Sequence, residues 1–253
     1  LFNPSDLIML DRDDSALHEV LLSIHGRALL DTPQTVLADL RDEATINHIF
    51  DTRKPEVVFH AAALKHLPLL ERYPLEAYQT NVLGTLTLLN AAQRTGVGVF
   101  VNISTDKAAN PISELGYSKR IEERVTAAVG EKANSGKYMS VRFGNVLGSR
   151  GSVLMSFRDQ IAKGGPLTVT HRGVTRYFMT ISEAVQLVIQ AGAIGSSGEA
   201  LVLDMGTPVS IYDVAKQLVT NSGKPVEIEI VGLRAGEKVH EELFGDGEID
   251  TRP

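Results

Sequence analysis

The apolar run Gly98–Ser104 (GVFVNIS) leads directly into Thr105, Asp106 and Lys107, so two hydroxyls, a carboxylic acid and an amine stand side by side. Such groups form hydrogen bonds and exchange protons. At the carboxyl end of a buried strand they would lie where open parallel sheets bind ligands. A surface turn could hold the same residues by chance. Further on, Lys119 falls on a helix that starts near Ser113, a natural N-cap. Helix positions four apart share a face, whereas positions two apart point about 200° from one another. Leu115 therefore shares the face of Lys119, and Tyr117 does not. Read alone, Lys119 is equally an exposed helix charge beside Arg120 and Arg124.

Other residues suit an anionic ligand. Asn145, Arg150, Arg176 and the RAGEK segment Arg234–Lys238 lie in the second half of the chain. Guanidinium groups match phosphate in a bidentate fashion. The stretch Gly148–Val153 (GSRGSV) can bring backbone N–H groups and a helix N-terminus to a diphosphate, although a loop of this composition is more often only a loop. Asp11 and Asp39 each follow an apolar strand and could accept hydrogen bonds from the adenosine half of a dinucleotide, or simply end their strands. In His60–Lys65 (HAAALK) three small side chains would let backbone approach a ligand, or begin a tightly packed helix.

These groups need a scaffold. Strands are expected at Asp6–Asp11, Thr35–Asp39, Glu56–His60, Gly98–Ser104, Met139–Phe143 and Ala200–Asp204, several of them nearly continuous aliphatic runs of the kind buried on both faces. Helices are expected near Ser15–Leu22, Glu43–Phe50, Pro74–Thr95, Ser113–Val129, Ser152–Ala162 and Ser182–Ala193, with Ser15, Ser113 and Ser182 as caps. The alternation implies an α/β fold with a doubly wound, parallel Rossmann-type sheet. A division follows: residues 1–144 as a dinucleotide-binding domain, and 145–253 as a smaller, partly helical lobe for the substrate, with some exchange of strands and helices. The two would meet over the carboxyl ends of the strands. The opening is unusual, because Asp6–Asp11 reads as the second strand of a dinucleotide unit. The first strand and its glycine-rich loop would lie roughly 20 residues earlier, before Leu1, and no such glycine pattern occurs within the chain.

Bulk properties narrow the function. With 253 residues, 43% of them hydrophobic, the chain can bury a sizeable core. A net charge of −6 argues against a nucleic-acid surface. The absence of cysteine excludes disulfides and thiolate metal sites, and no metal is expected. No apolar run approaches the length of a membrane span, so the chain itself reads as soluble and without membrane contact.

HAAALKHLPLLE, NVLGT, ISTDKAANP, VRFGNVLGSRGSV, TRYFMTISEAVQLV and RAGEK occur in this order. Together they closely resemble the UDP-N-acetylglucosamine 4,6-dehydratases, extended short-chain dehydrogenase/reductases of the CapD-like polysaccharide biosynthesis group. The resemblance spans Leu1–Phe244. It implies an NAD or NADP site at Asp11, Asp39, Ala61, Ala62, Ala63, Asn81, Ser104 and Lys119, and a UDP-sugar site at Lys65, Asn145, Arg150, Val153, Arg176, Arg234 and Glu237. It implies a tightly held cofactor that is recycled: hydride leaves sugar carbon 4, water is lost across carbons 5 and 6, and the hydride returns to carbon 6. It further implies a cytoplasmic homo-oligomer that can carry a membrane anchor ahead of Leu1.

That chemistry needs a base at the carbon-4 hydroxyl, an acid at the carbon-6 hydroxyl and a base at carbon 5. In the related dTDP-glucose dehydratases the motif is T-D-E; here it is Thr105-Asp106-Lys107. The resemblance thus makes Asp106 the acid and Lys107 the base, with Thr105 or Ser104 polarising the carbon-4 oxygen. A lysine serves as base only if its pKa falls well below about 10.4, and Lys119 with a cationic nicotinamide is expected to push it down. Leu115 replaces the tyrosine that many relatives place four residues before Lys119. That resembles the branch that retains carbon-5 configuration. A UDP-sugar 4-epimerase and a non-catalytic dinucleotide-binding protein are the competing readings, and the latter requires Asp106 and Lys107 to be dispersed or exposed.

Overall fold

The computed structural model describes residues 4–27, 30–149 and 151–249. In chain order the first half contains β1 (Met9–Asp11), α1 (Asp14–His25), β2 (Thr35–Leu37), α2 (Glu43–Arg53), β3 (Val57–His60), α3 (Leu67–Arg72), α4 (Pro74–Ala77) and α5 (Gly84–Thr95). It continues with β4 (Val99–Thr105), α6 (Glu114–Lys132) and β5 (Lys137–Phe143). The second half contains β6 (Asn145–Val146), α7 (Val153–Ala162), β7 (Leu167–Val169), β8 (Thr175–Arg176), β9 (Phe178–Met179) and α8 (Ile181–Ile194). It ends with β10 (Ala200–Val202), β11 (Val209–Ser210), α9 (Ile211–Ser222) and β12 (Ile228–Ile230).

The main sheet runs β10-β5-β4-β3, all parallel, so β10 from the second half completes a sheet begun in the first. Successive side chains of a strand face opposite ways. Phe100 and Tyr138 accordingly join Leu88, Leu89 and Ala92 of α5 in one core, while Val101, Met139 and Val141 join Val188 and Ala191 of α8 in another. Both faces of β4 and β5 are covered, which explains their unbroken apolar sequences. A third core joins Phe157 and Ile161 of α7, Leu167 and Val169 of β7, and Ile211 and Ala215 of α9. This core packs against a β7–β12 pair that no sequence signal announced.

β1 and β2 form a separate parallel pair. Among the described residues nothing pairs with the free edge of β3, where Val57 and Phe59 are each 48% exposed. In the 3-2-1-4-5 strand order of dinucleotide-binding sheets, β2, β1, β3 and β4 match positions 3, 2, 4 and 5. Among the described residues no helix is long and apolar enough to cross a membrane.

Several local expectations need correction. The cap of α1 is Asp13, whose carboxylate accepts from the Ala16 amide, and Ser15 lies inside the helix. The cap of α8 is Thr180, which forms a capping box with Glu183, rather than Ser182. Pro74–Thr95 is not one α-helix: a π-helical turn, Tyr78–Leu83, separates α4 from α5. Helices α3 and α9 were not anticipated. Ser113 does cap α6, accepting from the Gly116 amide at 3.1 Å.

Candidate active site

β4 delivers the central group. Its last residue, Thr105, passes into a 3-10 turn, Asp106–Ala108, that closes on its own side chains. Asp106 is fully buried, and its Oδ1 accepts from Lys107 Nζ at 2.8 Å and from Thr105 Oγ1 at 2.9 Å. Asp106 Oδ2 is buried without a hydrogen-bond partner. Lys107 Nζ also lies 3.5 Å from Asn145 Oδ1 on β6. The pair is neither dispersed nor exposed, contrary to what a non-catalytic protein would require. Gly144, between β5 and β6, permits this closeness: a Cβ there would meet Tyr177 Cβ at 2.8 Å and Asp106 Oδ2 at 3.1 Å.

Helix α6 forms the next wall. Gly116 lets it approach the Asp106–Ala108 turn, since a Cβ at this position would sit 2.5 Å from the Lys107 carbonyl oxygen. Replacing Gly116 by alanine is expected to force helix and turn apart and to destabilise the protein by about 1–3 kcal/mol, measured by chemical denaturation. Leu115 is buried against Leu64, Leu67, Leu70 and Ala77, an apolar cluster with no polar role. Tyr117 is 49% exposed on another face, as helical spacing dictates.

Lys119 is not an exposed helix charge. It is 6% exposed and its ammonium lies 2.5 Å from Glu122 Oε2. Burial pushes the Glu122 carboxyl up to about 7, against the pull of Lys119. Beneath them His60 is buried and shares a 2.7 Å hydrogen bond with Thr85 Oγ1. Burial, then the charge of Lys119, hold His60 down to about 3 and therefore neutral. Asn81, inside the π-helical turn, accepts from the Leu64 amide at 2.8 Å and donates to the Leu64 carbonyl at 3.0 Å. It thereby fixes the Ala61–Lys65 loop, in which Ala61 and Ala62 are exposed and Ala63 is half-buried. Such π turns recur at functional sites.

Asp11 and Asp39 stand together at the carboxyl ends of β1 and β2. Asp11 accepts from the Asp13 amide. Asp39 is clasped by Arg41, which with burial opposing it and Arg12 assisting lowers its carboxyl to about 2. Ser104 was expected at the cofactor, but its hydroxyl donates to Glu123 Oε1 at 2.6 Å instead. The reason is the fully buried Arg142, which draws Glu123 and Glu248 into an ion network that also includes Arg120.

The second half closes over the turn. Lys238 of the RAGEK segment donates to the Ala109 carbonyl at 2.9 Å. Arg176, at the end of β8, is 7% exposed, donates to the Thr175 and Val239 carbonyls, and pairs with Glu237 at 3.2 Å. Glu237 also accepts from Thr170 and from the Arg234 amide. Val153 opens α7, Lys65 sits on the loop after β3 where burial lowers its pKa, and Arg150 lies outside the described residues. Glu241 had not been singled out: it is buried, with Oε1 3.5 Å from Lys107 Nζ.

Glu241 overturns one electrostatic expectation. Burial alone would lower the Lys107 pKa, and Arg176 adds to that effect. The charges of Asp106 and Glu241, with the Asp106 hydrogen bond, outweigh both, and the pKa is raised. Lys119, spent on Glu122, is not the cation that acts on it. Lys107 therefore rests as an ammonium group.

A family model described as "Polysaccharide biosynthesis protein" matches residues 1–252. The capsular polysaccharide biosynthesis protein CapD of Staphylococcus aureus is 46% identical over 98% of this chain, which spans 42% of that relative's length. A UDP-glucose 4-epimerase of Rickettsia rickettsii is 35% identical over 96% of this chain and 70% of its own. The fold matches a dTDP-glucose 4,6-dehydratase, DesIV of Streptomyces venezuelae, solved with NAD and TYD, with a TM-score of 0.84 at 22% identity over 96% of this chain and 80% of that one. The chain thus belongs to the polysaccharide biosynthesis protein family, and it spans less than half the length of its CapD relative.

Proposed function

We propose that the protein serves as a UDP-N-acetylglucosamine 4,6-dehydratase acting through Asp106 and Lys107. The observation that carries this reading is the buried Asp106–Lys107 contact at the end of β4, with Thr105 and Asn145 beside it. Carbon-4 epimerisation has no use for an acid–base pair at carbons 5 and 6. A bound nicotinamide dinucleotide would supply a reversible hydride acceptor. Asp11, Asp39, the exposed Ala61 and Ala62 and the buried Lys119 are the residues that would hold its adenosine and nicotinamide halves.

In the ion pair the shared proton rests on Lys107. Transfer to Asp106 Oδ1 across the 2.8 Å contact makes Asp106 an acid and Lys107 a neutral base in one step. Thr105, whose hydroxyl donates to Asp106 Oδ1, accepts a hydrogen bond from the carbon-4 hydroxyl. Lys107 then takes the carbon-5 proton, Asp106 protonates the departing carbon-6 hydroxyl, and one water leaves. The carbon-4 hydride, which a bound dinucleotide would hold, is given up at carbon 6, and the carbon-4 hydroxyl proton is released to solvent. Lys107 returns its proton to carbon 5 and solvent reprotonates Lys107, so that the cycle loses only one water. Arg176, with Asn145 and Arg234, holds the diphosphate, and buried, apolar Leu115 takes no proton, in keeping with retention at carbon 5. The epimerase reading is favoured by the Rickettsia relatives. Incubation with UDP-N-acetylglucosamine and NAD or NADP separates the two: a product lighter by one water is expected, and an isomer of unchanged mass would contradict the proposal.

A further inference from the structure

Glu241 follows the RAGEK segment and meets the reacting lysine from the far half of the chain. Its side chain is 3% exposed, with Oε1 3.5 Å from Lys107 Nζ and 3.8 Å from Arg176 Nε. Its other oxygen is buried with no hydrogen-bond partner among the described residues. Burying a carboxylate is costly unless its charge is used, and packing alone would be served better by an apolar side chain. We propose that Glu241 is a positioning residue that fixes the Lys107 ammonium between two carboxylates and ties it to Arg176. The identity of the anion held by Arg176 rests on the preceding reading, whereas the Lys107 contact does not.

The charged and polar groups facing Lys107 are few: Asp106 on its own turn, Asn145 on β6, and Glu241 and Arg176 from the second half. Asp106 is itself the proposed acid. Glu241 is therefore the charge that sets how firmly Lys107 keeps its proton without entering the reaction. Arg176 sits on the other side of the same carboxylate. An anion that engages Arg176 changes how far its positive charge offsets Glu241, and that change is felt at Lys107.

The test follows the titration of Lys107 by 13Cε NMR, assigned with a Lys107→Met variant. Glu241→Gln keeps the shape and removes the charge, so the Lys107 pKa is expected to fall by at least about one unit. Glu241→Asp, which retains the charge, is expected to recover most of that fall, and it reads the same contact should the glutamine variant not fold. Addition of UDP is expected to move the Lys107 titration in the wild-type protein and not in Glu241→Gln. An unchanged Lys107 titration in folded Glu241→Gln overturns the positioning role. UDP that binds without moving wild-type Lys107 overturns the tie to Arg176. Failure of UDP to bind at all, measured by calorimetry, counts against the nucleotide-sugar reading and leaves the variant comparison decisive for Glu241.

Discussion

Replacing Lys107 by methionine lowers formation of the 4-keto-6-deoxy sugar by about 10³-fold or more, at the upper part of the range for loss of a positioned proton-transfer group. UDP binding stays within a few-fold of wild type, because Lys107 belongs to the β4 turn and the proposed diphosphate contacts come from Arg176, Arg234 and Asn145. Methionine preserves most of the side-chain volume. The substitution still leaves the buried Asp106 carboxylate with Thr105 alone, so some loss of stability accompanies the loss of turnover. Single-turnover assays and UDP calorimetry on the same preparation separate the two effects. Full turnover in Lys107→Met would remove the base from the mechanism.

Arg142→Met is expected to be the most damaging change to stability, by about 3–5 kcal/mol, the range for breaking a buried ion pair from one side. The Arg142 side chain is fully buried on β5 and donates to Glu123 of α6, to Glu248 and to the Leu243 carbonyl. Without it, Glu123 remains buried with only Ser104 and Arg120, and the segment that carries Glu241 loses one of its anchors. The network also predicts a pH signature. The Arg142 hydrogen bond, against burial and with help from the Gly245 amide and Arg120, holds the Glu248 carboxyl down to about 2. Its contribution to stability is therefore complete above the unfolded value near 4.3 and is lost as the pH falls towards 2. Denaturation at pH 7 and below pH 4 should show this loss in the wild type and a smaller one in Arg142→Met.

Much of the scaffold was legible because its signals are local. The continuous apolar runs at β3, β4 and β5 mark strands covered on both faces, and Ser113 marks the start of α6 one residue before it begins. Spacing alone separated Leu115 from Tyr117. Where two capping residues compete within one turn, composition does not choose: Asp13 and Thr180 displaced Ser15 and Ser182. The π turn around Asn81 left no pattern in the sequence, since it is fixed by tertiary contacts to Leu64 and Ser118.

The site was legible in its residues and less so in its charges. Thr105, Asp106 and Lys107 are contiguous and could be read together. Glu241 and Arg176, which act on Lys107 besides burial and Asp106, arrive from the other half of the chain and became visible only when folded. The same is true of Ser104, which looks like a cofactor ligand until Arg142 draws Glu123 against it. Lys119 gave no hint of Glu122 beyond helical spacing, and burial makes that pair matter.

If Lys107 removes the proton from carbon 5 of a UDP-sugar, that position exchanges with solvent during turnover. The decisive experiment runs the reaction with UDP-N-acetylglucosamine in deuterated water and reads carbon 5 of the product by NMR. A 4-keto-6-deoxy product carrying deuterium at carbon 5 is expected from wild type and not from Lys107→Met. A product altered only at carbon 4, with its carbon-5 hydrogen and carbon-6 hydroxyl intact, would rule out this role for Lys107.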